Sequence, residues 1–135
     1  MNSMYSQKVM EHFKNPKNMG EIEDADGIGE VGNPQCGDVL RVYLEVEKNE
    51  RGEEYIKNIK FQTFGCIAAV AVSSMLTEIV KGMTLEEAKK LSNNEIIKNL
   101  GGLPPIKHHC SLLGAQALKK AIEDYEKKKK QGGKI

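Results

Sequence analysis

A chain of 135 residues holds one core of ordinary size and is too short for two typical domains. Hydrophobic residues make up 39% and charged residues 29%, with no apolar run near the roughly 20 residues of a membrane helix, so a soluble protein is expected and a membrane-spanning role is excluded. The formal net charge of +1 supplies no global field for nucleic acid, and the local run Lys127 to Lys130 reads as a solvated helix end.

The opening MNSMYSQKVM lacks the apolar stretch and cleavage site of a secretory signal, so the expected compartment is the cytoplasm. Tyr5, Val9, Met10 and Phe13 recur at helical spacing until Asn15-Pro16 stops them, which predicts a short amphipathic helix with His12 on its surface. Residues 15–38 are rich in Gly, Asp and Asn and read as a loop ending on Gln35-Cys36-Gly37-Asp38. Leu40, Val42, Leu44 and Val46 then alternate with polar neighbours, the period of a half-buried strand. A turn around Gly52 leads to a second alternating run, Ile59, Phe61 and Thr63, completing a hairpin.

Beyond Phe64-Gly65-Cys66 the period changes. IAAVAVSSMLTEIV is apolar almost all round, as in a helix buried on most sides, and Gly82 ends it. Thr84 to Glu87 and Ser92 to Glu95 have capping-box form and predict two short helices, the second closing at Gly101-Gly102. Pro104 and Pro105 hold an extended segment, after which Ser111 is the expected N-cap of a last helix marked by Leu118, Ile122 and Tyr125 and fraying into KKKKQGGKI. Strands early and helices late predict a single α+β domain, a small antiparallel sheet with helices on one face.

Three cysteines are an odd number for a disulfide framework, and in a reducing compartment metal or sulfur chemistry is the live alternative to buried apolar cysteines. Each falls at a junction: Cys36 before the first strand run, Cys66 opening the apolar helix, Cys110 just before the last helix. A helix N-terminus stabilises a thiolate and brings a cysteine pKa from about 8.5 to roughly 3.5–7.5. Asp38 and His109 stand beside these cysteines. Three thiolates plus a carboxylate or imidazole suit zinc or an iron-sulfur cluster, and the spacing alone does not choose. No C-x-x-C pair of the kind found in zinc fingers or thioredoxin-like sites is present.

Gly32-Asn33-Pro34-Gln35-Cys36-Gly37-Asp38, Phe64-Gly65-Cys66 and Leu103-Pro104-Pro105-Ile106-Lys107-His108-His109-Cys110-Ser111 resemble, in order, the three cysteine motifs of the IscU/NifU-type iron-sulfur cluster scaffold family. The likeness runs from Tyr5 to Tyr125. It implies one SufE/NifU-like domain over residues 1–135 that is a scaffold rather than an enzyme. On it a transient [2Fe-2S] cluster is ligated by Cys36, Cys66 and Cys110, with Asp38 and His109 able to supply or exchange the fourth bond. It further implies sulfur delivered as persulfide by a cysteine desulfurase, with Cys110 the expected acceptor and Cys36 the runner-up. Electrons would come from a ferredoxin-type donor and the cluster would pass to apo-protein acceptors. The segment Leu103 to Lys107 resembles the grip site of an Hsp70-type chaperone, although its prolines could equally serve just to position Cys110. The resemblance leaves open whether the scaffold is a homo-oligomer.

Two departures stand out. Ile67-Ala68 follows Cys66 where the family often has Gly-Ser, and His108 replaces an aliphatic residue, placing a second imidazole beside His109. The rival reading is the zinc-containing sulfur-acceptor branch of the same superfamily. That branch carries an insertion between its second and third cysteines, whereas here Cys66 and Cys110 are only 44 positions apart. Zinc can also take the cluster's place in isolated protein. Having three thiolates rather than four favours transfer: a carboxylate is a harder, weaker partner for so soft a site and leaves a corner through which an acceptor's cysteine can enter.

Overall fold

In the computed structural model the described residues are 6–33, 38–64, 67–102 and 108–132, with backbone alone described at 33, 38, 93, 108–111 and 130–132. The Ser6 hydroxyl caps helix α1 (Gln7–Lys14) by accepting from the Val9 amide, and donates to the Leu100 carbonyl. Strands β1 (Gly27–Asn33), β2 (Asp38–Lys48) and β3 (Glu54–Phe64) form an antiparallel sheet in the order β1-β2-β3. Helices α2 (Ile67–Val80), α3 (Leu85–Lys89), α4 (Asn93–Asn99) and α5 (His108–Gly132) complete the described residues. This is the α+β arrangement expected from the sequence.

Alternation decides what the sheet buries. Leu40, Val42 and Leu44 of β2 face the helices with Ile56, Ile59 and Phe61 of β3. Ile56 and Ile59 are three apart, which a regular strand would send to opposite faces. The register shifts from Glu45↔Asn58 to Val46↔Ile56, and the bulge at Lys57 returns both isoleucines to the core. The apolar α2 is wrapped by α1, β3, β2 and α5, and burial of Ala68 through Thr77 accounts for its lack of a polar face. Thr84 and Glu87 form both halves of the predicted capping box, and Ser92 accepts from the Glu95 amide.

Four expectations are corrected. Residues 15–38 are not all loop, because β1 occupies Gly27–Asn33. A methyl group on Gly29 would fall on the Ala117 carbonyl oxygen and within 2.9 Å of the Lys120 carbonyl carbon, and one on Gly27 would reach Tyr125 Cβ at 3.0 Å. The glycines that disguised this strand are thus what lets α5 lie directly on it. Second, α5 begins at His108, so Ser111 is not its N-cap, and third, the helix continues to Gly132 rather than fraying. Lys128 and Lys129 extend from it to Asp124 and Glu54, at 3.0 and 2.7 Å. The Tyr125 hydroxyl also donates to Glu54.

Both outer strands have neighbours. Asn18, held at φ 61°, accepts the Phe61 amide at 3.0 Å, while the Gly20 amide donates to the Phe61 carbonyl at 2.8 Å. On the far side the Ile28 amide of β1 donates to the Asp124 carboxylate at 2.9 Å, and Lys120 Nζ donates to the Glu30 carbonyl at 3.5 Å.

Fourth, His12 is buried, not on the surface (7% exposed). Its Nδ1 lies 2.6 Å from Ser74 Oγ, which also accepts the Lys17 amide at 2.8 Å, and its Nε2 lies 3.4 Å from Glu78 Oε1. With the serine hydroxyl donating to Nδ1, the ring is neutral and its Nε2–H points at Glu78. Burial lowers the His12 pKa from its usual 6.5, opposed by Glu78 and reinforced by Lys17 and Lys8, with Glu11 raising it slightly. The unfolded chain therefore binds the proton more readily, so the contribution of His12 is complete above pH 6.5 and is lost as pH falls through its lower folded value. The urea midpoint should fall between about pH 7.5 and about pH 5.5, and that fall should shrink in His12→Gln. An equal fall in both proteins would assign the acid sensitivity to other groups.

Candidate functional site

The site residues named from sequence lie on three junctions, and the backbone around each junction is described. Asp38 is the first residue of β2 and pairs with Asn33, the last of β1. Residues 34–37 between them, Cys36 included, lie outside the described residues. Phe64 ends β3 opposite Val39, and Ile67 opens α2. Cys66, between them, is likewise outside the described residues, as are Leu103 to Lys107. His108, His109 and Cys110 form the first turn of α5 by their backbone.

Register and packing bring these junctions to one end of the molecule. Asn33, Asp38, Val39 and Phe64 are consecutive partners across the sheet. Helix α5 runs antiparallel to β1, with Gly27 against Ala121 and Gly29 against Ala117. Two strand residues advance about 6.6 Å and four helical residues about 6 Å, so Asn33 lies at about the level of residue 109 on α5. Helix α2 joins from the other side, where Gly114 of α5 abuts Val72. The first turns of α2 and α5 therefore share the end of the sheet at which β1 ends and β2 begins.

That end has a distinct electrostatic and surface character. Two helices of 14 and 25 residues present their N-termini there, each equivalent to roughly half a positive charge, the environment in which a thiol becomes a thiolate. The surface is apolar in places: Phe64 is 80% exposed, with Val39 beside it and Leu112 on α5 also exposed. Alternation along β3 does not say which face of a strand end is covered, so the exposure of Phe64 is evident from the structure and not from its motif. Among the described residues, no three His, Cys, Asp or Glu side chains gather as a metal shell. No described helix is long and apolar enough to cross a membrane.

The chain matches the model of the NifU-like N terminal domain over residues 4–132. It is 55% identical over 132 residues to the iron-sulfur cluster assembly scaffold protein IscU 1 of Archaeoglobus fulgidus, covering 98% of this chain and 81% of that protein. The IscU scaffold protein of Azotobacter vinelandii is 48% identical over 93% of this chain and 96% of its own length. Among solved structures, a Fervidobacterium islandicum protein assigned as a scaffold for the SUF system superposes with a TM-score of 0.68 at 27% identity, covering 88% of this chain and 96% of that one. The N-terminal part of a NifU-like protein from Brucella abortus gives the same TM-score at 21% identity, covering 93% and 96%, a likeness of fold.

Proposed function

The chain belongs to the NifU-like N-terminal domain family, many of whose relatives are named scaffolds for iron-sulfur cluster assembly, and from that premise we propose that it builds a [2Fe-2S] cluster on Cys36, Cys66 and Cys110 and passes it on. The observation that carries the reading is the gathering of the three cysteine-bearing junctions at one end of the sheet. Cys36 and Cys110 are 74 positions apart in sequence, and a shared end of the fold is what joint ligation of one cluster requires of them. Asp38 and His109, on the same junctions, are the candidates for the fourth bond.

The chemistry is balanced by what must arrive. A thiolate of this chain attacks the outer sulfur of a desulfurase persulfide, taking that sulfur and releasing the desulfurase thiolate. Each transferred sulfur must then gain two electrons to become sulfide. Two ferrous ions supply one electron each on becoming ferric, so two further electrons come from an outside donor such as a ferredoxin. The protein's own part is to hold thiolates at helix ends, where the dipole favours the anion, and to keep one ligand exchangeable.

Anaerobic incubation with a cysteine desulfurase, cysteine, ferrous iron and an electron donor tests this. Wild-type protein should gain visible absorbance with iron and sulfide in equal amounts, and each of Cys36→Ser, Cys66→Ser and Cys110→Ser should lose most of it. A colourless protein that holds zinc and accepts persulfide would instead establish the sulfur-acceptor reading.

Asp38→Ala should leave the fold intact, because the Asn33↔Asp38 pairing uses backbone groups that alanine retains. The bound cluster should become longer-lived. Removing a carboxylate from an already anionic site lowers its negative charge, and it also removes the weakest ligand through which the cluster departs. The measurement is the decay of visible absorbance in the presence of a chelator. Faster decay in the variant would make Asp38 an anchor rather than an exit.

A further inference from the structure

Gly114 breaks a local rule. It sits inside α5, buried and helical, where glycine costs about 1 kcal/mol relative to alanine. Its backbone makes no demand that only glycine meets. What surrounds it does: a methyl group there would stand 3.1 Å from Val72 Cγ1 and 3.6 Å from Leu76 Cδ2, the first several tenths of an ångström inside the ordinary contact range of 3.4–4 Å. Val72 is fully buried and β-branched, so one χ1 rotamer is strongly preferred in a helix and the side chain has little freedom to swing aside.

We infer that Gly114 is a positioning residue, which sets the separation between the N-terminal ends of α2 and α5 and so the geometry with which Cys66 and Cys110 grip a metal or cluster. The inference rests on the scaffold reading above. Gly114 lies four residues beyond Cys110, about 6 Å along a rigid helix, and Val72 lies six residues beyond Cys66. A displacement at their contact is carried almost undiminished along the two helices to Ile67 and His108, the first residues of α2 and α5. Thiolate–metal bonds of about 2.3 Å tolerate errors of only about 0.2 Å. The shift that a methyl group would force is of that size. Spread over an apolar contact the same shift is a small strain, offset by the better helix propensity of alanine. Metal affinity and stability should therefore part company, an outcome that a merely structural glycine would not give.

The test measures zinc affinity of reduced apo-protein by competition with a chromophoric chelator, alongside thermal melting of the same samples. Gly114→Ala should weaken zinc binding by about tenfold or more with its melting temperature unchanged or raised. Gly114→Ala combined with Val72→Ala, which gives back the space, should recover wild-type affinity even though it melts lower. Unchanged affinity in Gly114→Ala, failure of the double variant to recover it, or unfolding of Gly114→Ala would each overturn the inference. Wild-type protein that binds zinc no better than Cys110→Ser would sink the scaffold reading and this inference with it. Tight wild-type binding lost in Cys110→Ser, with Gly114→Ala still as tight, would overturn the inference alone.

Discussion

Gly29→Ala should destabilise the protein by about 3 kcal/mol or more, a large share of the 5–15 kcal/mol that holds a domain folded. The added methyl meets the backbone of α5 at Ala117, Lys120 and Ala121. Overpacking against side chains is relieved by new rotamers, but a carbonyl oxygen in a helical ladder has nowhere to go. The variant must lift α5 from β1, opening the face that Val31, Leu113, Ala117 and Ala121 bury, or twist the strand. Gly52→Ala is the control: its φ is +81° with nothing near the added methyl, so only the left-handed backbone penalty of about 1–2 kcal/mol applies. Urea denaturation of the three proteins measures both differences. A Gly29→Ala midpoint as high as that of Gly52→Ala would mean that α5 does not rest on β1 in this way.

Cys110→Ser should lose most of the sulfur that a cysteine desulfurase delivers, the largest functional effect expected of any single thiol. A persulfide acceptor needs a thiolate that a partner can reach. The backbone of Cys110 lies in the first turn of a 25-residue helix, where the dipole is strongest, and the next described side chain, Leu112, is 46% exposed. Cys66 precedes a helix whose first turn is buried at Ala68, Ala69 and Val70, and burial of that kind hinders a partner's approach. Cys36, between β1 and β2 in sequence, is the second choice. Each Cys→Ser variant is incubated with desulfurase and cysteine and the added sulfur counted by intact mass. Undiminished labelling of Cys110→Ser with loss in Cys66→Ser would reverse the assignment.

The parts of this fold that were legible in sequence are those in which one residue's environment is fixed by its near neighbours. Leu40, Val42 and Leu44 alternate because one face of β2 is dry, and Thr84 with Glu87 announces a helix start within four residues. What escaped depends on partners far along the chain. The glycines of β1 argue against a strand until α5, some 90 residues later, is laid on them. His12 reads as the polar side of an amphipathic helix until Ser74, 62 residues on, supplies the hydrogen bond that permits its burial. The last helix begins earlier than Ser111 suggested, since a serine at a plausible cap position does not oblige the helix to wait for it. For the candidate site the motifs mark the three junctions, and the structure brings the described backbone of those junctions to one end. Order along the chain does not choose between Asp38 and His109, because both stand near cysteines and ligand preference depends on side-chain geometry.

The neighbours of the two outer strands bear on how this domain can meet others. A three-stranded sheet has two margins of unpaired amides and carbonyls, and such margins recruit strands from other molecules. Here Asn18 and Gly20 occupy one margin at Phe61, while Asp124 and Lys120 of α5 engage the other at Ile28 and Glu30. At these points a visiting strand would have to displace hydrogen bonds already made. Recruitment by β-augmentation and runaway cross-β stacking are disfavoured alike, so encounters with this domain should be read out through side chains, and a crowded population of it should stay disperse.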